Sequence, residues 1–189
     1  LTGITEKTEI DDLKKTSCLL SILDTQNSKL NNNNYRINLK PAFIEMLKSI
    51  KGEKSNILYL DSVIKSPEQT TRLNDFKNIF NNKSKDLKLK FINVDQEFDI
   101  KKTDNIVKAI LNFKPDLVCG SIHSEWYELI EKVSSKQVKI YSLLIDSNKQ
   151  GFIVDSNKWM KEILPDIYLR LDNRKITNQP KPYTAVFVK

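Results

Sequence analysis

His123 is the only histidine in the 189-residue chain, two residues after Ser121 and two before Glu125. An imidazole between a hydroxyl and a carboxylate could move a proton at neutral pH. The same residue types also make ordinary turns and helix caps, where side-chain oxygens accept from free backbone N–H groups. They lie in NFKPDLVCGSIHSEWYELIEKV, Asn112 to Val133, which passes from an apolar run through polar residues into helical spacing. The stretch therefore reads as a strand-to-helix turn that also borders a ligand cleft.

Other apolar runs end in the same way. Asp24, Thr25 and Gln26 follow CLLSIL, and Asp61 and Ser62 follow NILYL. Asp95 and Gln96 follow FINV, Ser121 and His123 follow DLVCG, and Asp146, Ser147 and Asn148 follow VKIYSLLI. In an open parallel sheet, ligands bind beyond the carboxyl ends of the strands. Any one of these residues can be a turn or cap residue. Together they form a hydrogen-bonding rim at one edge. Carboxylates there, such as Asp24 and Asp146, accept from hydroxyls, which favours sugars or nucleosides over anionic ligands.

Several chemistries have no sequence support. There is no GxGxxG, no Walker A motif and no GxSxG elbow, and the chain has four glycines in all. Cys18 and Cys119 lie far apart in apolar runs and read as buried free thiols. Two cysteines and one histidine do not make a zinc site. The aspartates lack the dense spacing of a metal loop. No metal or cofactor is expected, and the reading leans away from an enzyme.

The elements that must position the rim alternate between short apolar runs and helix-period segments. Strands are expected at Cys18–Leu23, Asn56–Leu60, Leu87–Val94, DLVCG, Val138–Ile145, GFIV and YTAVFVK. Helices are expected in NLKPAFIEMLKSI, SPEQTTRLNDFKNIF, TDNIVKAILNF, EWYELIEKV and SNKWMKEILPDIYLRL. Pro41 suits the first turn of its helix, and Ser66 and Pro67 the start of the next. Pro165 should kink or split the last. Strands alternating with helices give an α/β fold with a mostly parallel sheet and crossover helices.

The composition, 39% hydrophobic and 29% charged, is that of an ordinary folded protein. No apolar run approaches the roughly 18 residues that cross a membrane. The net charge is +7, but the lysines are scattered and the arginines are few: Arg36, Arg72, Arg170 and Arg174. No basic run interleaves with aromatics, so nucleic acid is not an expected partner. Asn31 to Asn34 is the only low-complexity stretch and reads as a surface loop.

Several longer stretches resemble landmarks of the type I periplasmic binding proteins, a fold shared with the sensor domains of lac-repressor-type regulators. EIDDLKKTSCLLSILDTQ is similar to the segment leading into a strand and a ligand-facing Asp. NNNNYRINLKPAFIEMLKSIKGEKSNILYLD resembles the crossing to the second lobe, and TTRLNDFKNIF the family's R-x-x-G-F helix. NFKPDLVCGSIHSEWYELIEKV resembles the strand, Asn-Asp and helix block. VKIYSLLIDSNKQ resembles the next strand with its Asp, and GFIVDSNKWMKEILPDIYLRLDNRKI the last helix. The chain departs from the pattern at Asn74 and Asp75, where the family has Gly, and at Ser121 to His123, where it has Asn-Asp.

The resemblance implies two Rossmann-like lobes. Residues 1–52 would supply the remainder of an N-terminal lobe, lacking its first part, with the crossover helix. Residues 53–189 would form the second lobe; a single domain over 1–189 is the other division. It implies a small polar ligand, a sugar or nucleoside, held without catalysis in the interlobe cleft by Asp24, Arg72, Ser121, His123 and Asp146, with Trp126, Phe98 or Trp159 stacking on a ring. Arg72 would match an arginine that hydrogen-bonds ligand hydroxyls or carboxylates, a task suited to its planar fork of donors. A membrane transporter or a sensor partner, and an extracytoplasmic setting, periplasmic or lipid-anchored, belong to the same implication. Two other functions stay open on the residues alone: a glycosyltransferase- or nuclease-like enzyme using His123 and the strand-end aspartates, and a basic scaffold or nucleic-acid binder.

Overall fold

The computed structural model describes residues 22–23, 34–50, 54–63, 67–80, 86–95, 98–120, 123–134, 136–172 and 180–189. Its centre is a six-stranded sheet of β4 (Ser55–Ser62), β5 (Leu87–Val94), β6 (Leu117–Gly120), β7 (Lys139–Ile145), β8 (Gly151–Val154) and β10 (Val186–Val188). The order across the sheet is β10-β8-β7-β6-β4-β5. All neighbours run parallel except β10, which is antiparallel to β8. The sheet is thus α/β and mostly parallel, as the alternation of periods requires.

Four crossover or flanking helices belong to this sheet: α2 (Pro67–Phe80), α3 (Asp104–Phe113), α4 (Ser124–Val133) and α5 (Ser156–Asp172). A fifth, α1 (Lys40–Ser49), precedes β4, with Pro41 in its first turn. Alternate residues of the central strands serve two cores. Ile57 and Tyr59 of β4 join Phe43 and Met46 of α1, Phe76 of α2 and Trp159 and Ile163 of α5 on one face. Leu58 and Leu60 join Ile110 of α3 and Trp126, Tyr127 and Ile130 of α4 on the other. The crossover helix α2 lies on one face and α3 and α4 on the other, so the winding reverses between β4 and β6. The crevice beyond those two strand ends is where this topology leaves room for a ligand.

Two short parallel pairs stand outside the main sheet. β1 (Ile22–Leu23) pairs with β2 (Asn34–Tyr35), and β3 (Ile37–Asn38) pairs with β9 (Tyr183–Thr184). β3 leads into α1 and β9 into β10, so the chain enters the six-stranded unit twice, side by side. The entry is anchored at its base. Tyr35 Oη donates to Asp166 Oδ2 at 2.7 Å, and Arg170 Nε donates to the same oxygen at 2.6 Å. Burial pushes the Asp166 carboxyl up, but the bonds from Arg170 and Tyr35 outweigh it and hold it below the usual carboxylate range.

Three expectations are corrected. Pro165 neither splits nor ends α5, which runs unbroken for 17 residues. Pro165 removes the partner of the Lys161 carbonyl, and both residues lie on the exposed side, where solvent can serve that group. Trp159 and Ile163 before the proline and Ile167 after it are packed on the core. Asp61 and Ser62 are the last two residues of β4 rather than a loop after it, because β5 extends the pairing to Ser62 opposite Val94. The closing strand is split into β9 and β10 at Ala185. Of the first strand expected, residues 22–23 are described and are a strand; Cys18 and Ser66 lie outside the described residues.

Glycine is required where β6 ends. Gly120 has φ +153°, and a Cβ built on it would lie 2.3 Å from the Leu60 carbonyl oxygen. The register sets Leu60, Gly120, Ser142 and Gly151 in one row across four strands. Gly151 repeats the situation at φ +146°, with the Ser142 oxygen 2.6 Å from its built Cβ.

Candidate functional site

A cavity of about 290 Å³ lies where the entering segment meets α2. Arg36, Ile37, Asn38 and Leu39 line one side and continue into Lys40 at the start of α1. Glu68, Thr71, Arg72 and Asp75 of α2 line the other, and Pro182 closes it next to β9. The spacing of 68, 71, 72 and 75 puts these four side chains on one stripe of the helix. The neighbouring stripe, Leu73, Phe76, Ile79 and Phe80, enters the core and fixes the rotation of α2. Asn38 is held by its backbone, whose carbonyl accepts from Ala185 N–H at 3.2 Å, while its Oδ1 accepts from Lys40 N–H at 3.1 Å.

Seven of the ten lining residues are polar or charged. Arg72 is 8% exposed and Glu68 6%, well below the exposure usual for either type. Asp61, also buried, lies at the tip of β4. The Tyr59 hydroxyl feels the charges of both Asp61 and Arg72. Burial pushes its pKa up, Cys119 and then Asp61 push it further, and Arg72 pulls it back.

The sequence-derived candidates separate in space. Arg72 is in the cavity. His123 and Asp146 stand at the same carboxyl edge of the sheet but do not line it. Asp24 and Ser121 lie outside the described residues. The His123 side chain is 57% exposed, with Nδ1 3.1 Å from Glu125 Oε2. Its backbone is the N-cap of α4.

Asp146 is engaged by a helix start. Its Oδ1 accepts from Ser156 N–H at 2.7 Å and its Oδ2 from the Ser156 hydroxyl. Its φ of +50° turns the chain from β7 back toward β8. The two Ser156 bonds hold its carboxyl below the ordinary 3.8. The folded state thus binds its proton less readily than the unfolded chain does. The stabilisation is complete above about pH 4 and fades as pH falls through the lowered folded value. Asp146→Asn should flatten this acid limb in melting temperature measured against pH. An acid limb that superimposes on the parent's would show that Asp146 does not cap α5.

The three rings considered for stacking are all packed. Trp126 is 1% exposed, meets Phe98 edge-on at 5.0 Å, and donates from Nε1 to the Asp95 carbonyl at 3.1 Å. It lies on the α3 and α4 face, opposite the cavity, and in this structure presents no ring face to a ligand there. Trp159 packs on Tyr183 with ring centroids 5.9 Å apart.

Arg36, Asn38, Glu68 and Asp75 are cavity residues that sequence reading did not single out. A signal existed for two of them: Glu68 and Asp75 recur with Arg72 at helical spacing beside the apolar stripe. Among the described residues no group of three or more His, Cys, Asp or Glu side chains could hold a metal ion. No helix among them is long and apolar enough to cross a membrane.

No protein-family model matches the chain, and no curated protein matches it. Solved structures do. A LacI transcriptional regulator from Lactobacillus brevis matches over 100% of this chain and 76% of its own, with TM-score 0.67 and 10% identity. The Escherichia coli transcriptional repressor ascG matches over 98% and 73%, with TM-score 0.64 and 16% identity. A LacI family transcriptional regulator from Enterococcus faecium, with bound ribose, matches over 97% and 74%, with TM-score 0.64 and 16% identity. At such identities the likeness is one of fold. The chain has the type I periplasmic-binding-protein-like fold of the effector domains of LacI-type regulators.

Proposed function

We propose that this chain is a sensing module that binds a small polar ligand, a sugar or nucleoside, and breaks no bond in it. The observation that carries the reading is the cavity between the entering segment and α2, with the buried Arg72 on its wall. A guanidinium on a core-anchored helix offers fixed donors to hydroxyl and ring oxygens. Asp24, Ser121, His123 and Asp146 remain candidates for the strand-end side of the same site. The ligand would act by favouring a closed arrangement of two lobes over an open one, to the extent that it binds the closed form better.

A ribose-bound structure among those with this fold supports a sugar. That the similar structures are described as transcriptional regulators supports a sensor role over a transporter-associated one. An enzyme built on His123 gains no support, since that side chain is exposed and outside the cavity.

A thermal-shift screen of pentoses, hexoses and nucleosides tests the reading. A true ligand stabilises the native state by about 2.7 kcal/mol at a hundred times its dissociation constant. Arg72→Ala should weaken binding roughly tenfold to a hundredfold, the loss expected for hydrogen bonds to a charged group. If no compound in the panel moves the transition, the sugar or nucleoside reading fails.

A further inference from the structure

The charges on the cavity wall are unevenly shared. Arg36 and Lys40 stand on the entering side, and Arg72 stands on α2. Both acids of the wall, Glu68 and Asp75, also belong to α2. They lie four residues before Arg72 and three after it, the spacings at which opposite charges on a helix offset one another. The entering side has no such compensation. No acid occurs between Arg36 and Lys40, and the first turn of α1 has none. Among the described residues, neither the Arg36 nor the Lys40 side chain has a hydrogen bond or an ion pair. Asp146, whose carboxylate at the rim would argue against an anionic ligand, is engaged through both oxygens by Ser156 and does not line the cavity.

Resting on the sugar-binding reading, we infer that the ligand is a sugar acid, its carboxylate held by Arg36 and Lys40 and its ring hydroxyls set against the mixed charges of α2. Three cations against two acids leave a surplus of one positive charge on the wall, which one carboxylate neutralises. A phosphate monoester carries roughly 1.5 to 2 negative charges at neutral pH and would leave an excess beside Glu68 and Asp75. A guanidinium fork matches the two oxygens of a carboxylate, and the exposed Lys40 adds a point charge on a flexible stem. The cavity volume of about 290 Å³ is at the small end of ligand pockets and suits a single ring.

The test is calorimetric titration of the chain at neutral pH and low salt with glucuronate, glucose, galacturonate and galactose. Glucuronamide serves as an uncharged ligand of the same size as glucuronate, and glucose 6-phosphate as the alternative anion. Each acid should bind at least about tenfold tighter than its neutral counterpart, the margin between a charged and a neutral hydrogen bond. Added salt should narrow that margin, because Lys40 is exposed. Arg36→Gln and Lys40→Gln should each weaken the acids more than the neutral sugars, whereas Arg72→Ala should weaken both. Equal or tighter binding of the neutral sugars, or of glucuronamide, overturns the carboxylate site and leaves the sugar reading standing. A margin that survives both Gln substitutions does the same. Tighter binding of glucose 6-phosphate than of glucuronate refutes the carboxylate in favour of a phosphate. Binding of neither acid, if ribose or a nucleoside binds, overturns the acid selection alone. No binding by any sugar or nucleoside removes both. Should the Gln variants fail to fold, the wild-type order of affinities and its salt dependence decide.

Discussion

Gly120→Ala should destabilise the chain by about 3–5 kcal/mol, among the largest effects a single added methyl group can have. The added Cβ would lie 2.3 Å from the Leu60 carbonyl oxygen, which is backbone at the centre of the sheet and cannot rotate aside. The φ of +153° is also one that L side chains rarely adopt. Stiffening the unfolded chain returns at most about 1 kcal/mol. For a chain of this length the loss corresponds to a drop of roughly 10 °C or more in melting temperature. Gly151→Ala should behave likewise but more mildly, since its obstruction lies at 2.6 Å near the sheet edge. Urea and thermal denaturation read both. A Gly120→Ala midpoint within a degree of the parent's would mean that β4 and β6 are not registered as described.

Phe76→Ala should cost a similar amount, about 3–5 kcal/mol, for a different reason. Phe76 is fully buried and touches four other rings. Phe80 stacks on it at 4.3 Å, Tyr59 lies tilted at 4.6 Å, and Phe43 and Phe91 meet it edge-on at 5.4 and 6.2 Å. Those rings come from α1, α2, β4 and β5, so truncation opens a cavity at the junction of four elements. Phe76→Leu should recover a good part of the loss by refilling the volume. The same truncation also loosens the rotation of α2, so ligand affinity should fall alongside stability. A Phe76→Ala protein that keeps the parent's melting temperature and its affinity would disprove the packing.

The parallel architecture was legible because short apolar runs, which β4, β6 and β8 bury on both faces, alternate with segments of helical period. Strand ends were less legible. NILYL looks finished at Leu60, where the pairing with β6 does end, yet β5 continues alongside, so Asp61 and Ser62 are drawn into the sheet and buried. The packing of the aromatic candidates could not be read from the sequence. Trp126, Tyr127 and Ile130 form a single helical stripe, and only the packing of α4 shows that the stripe is core. Asp146 looked like a rim carboxylate, but its acceptors are taken by Ser156, ten residues on and brought close by the turn into β8. Glu68 was passed over because an acid in a first helical turn already has a reason to be there. Its place on one cavity wall with Arg36 to Leu39 brings together distant parts of the chain, which no local pattern records.

The open margin of the sheet at β5 has a further effect. Lys88 and Lys90 alternate with apolar residues there, and Lys90 is tied down, donating to the Ala109 carbonyl at 3.3 Å and lying over the Phe113 ring at 5.6 Å. A foreign strand adding to this margin would have to strip water from those ammonium groups and displace that anchor. Misassembly of partly folded copies through this flank is thereby discouraged, and the chain should tolerate refolding at concentrations where a purely Val- and Ile-lined flank would precipitate.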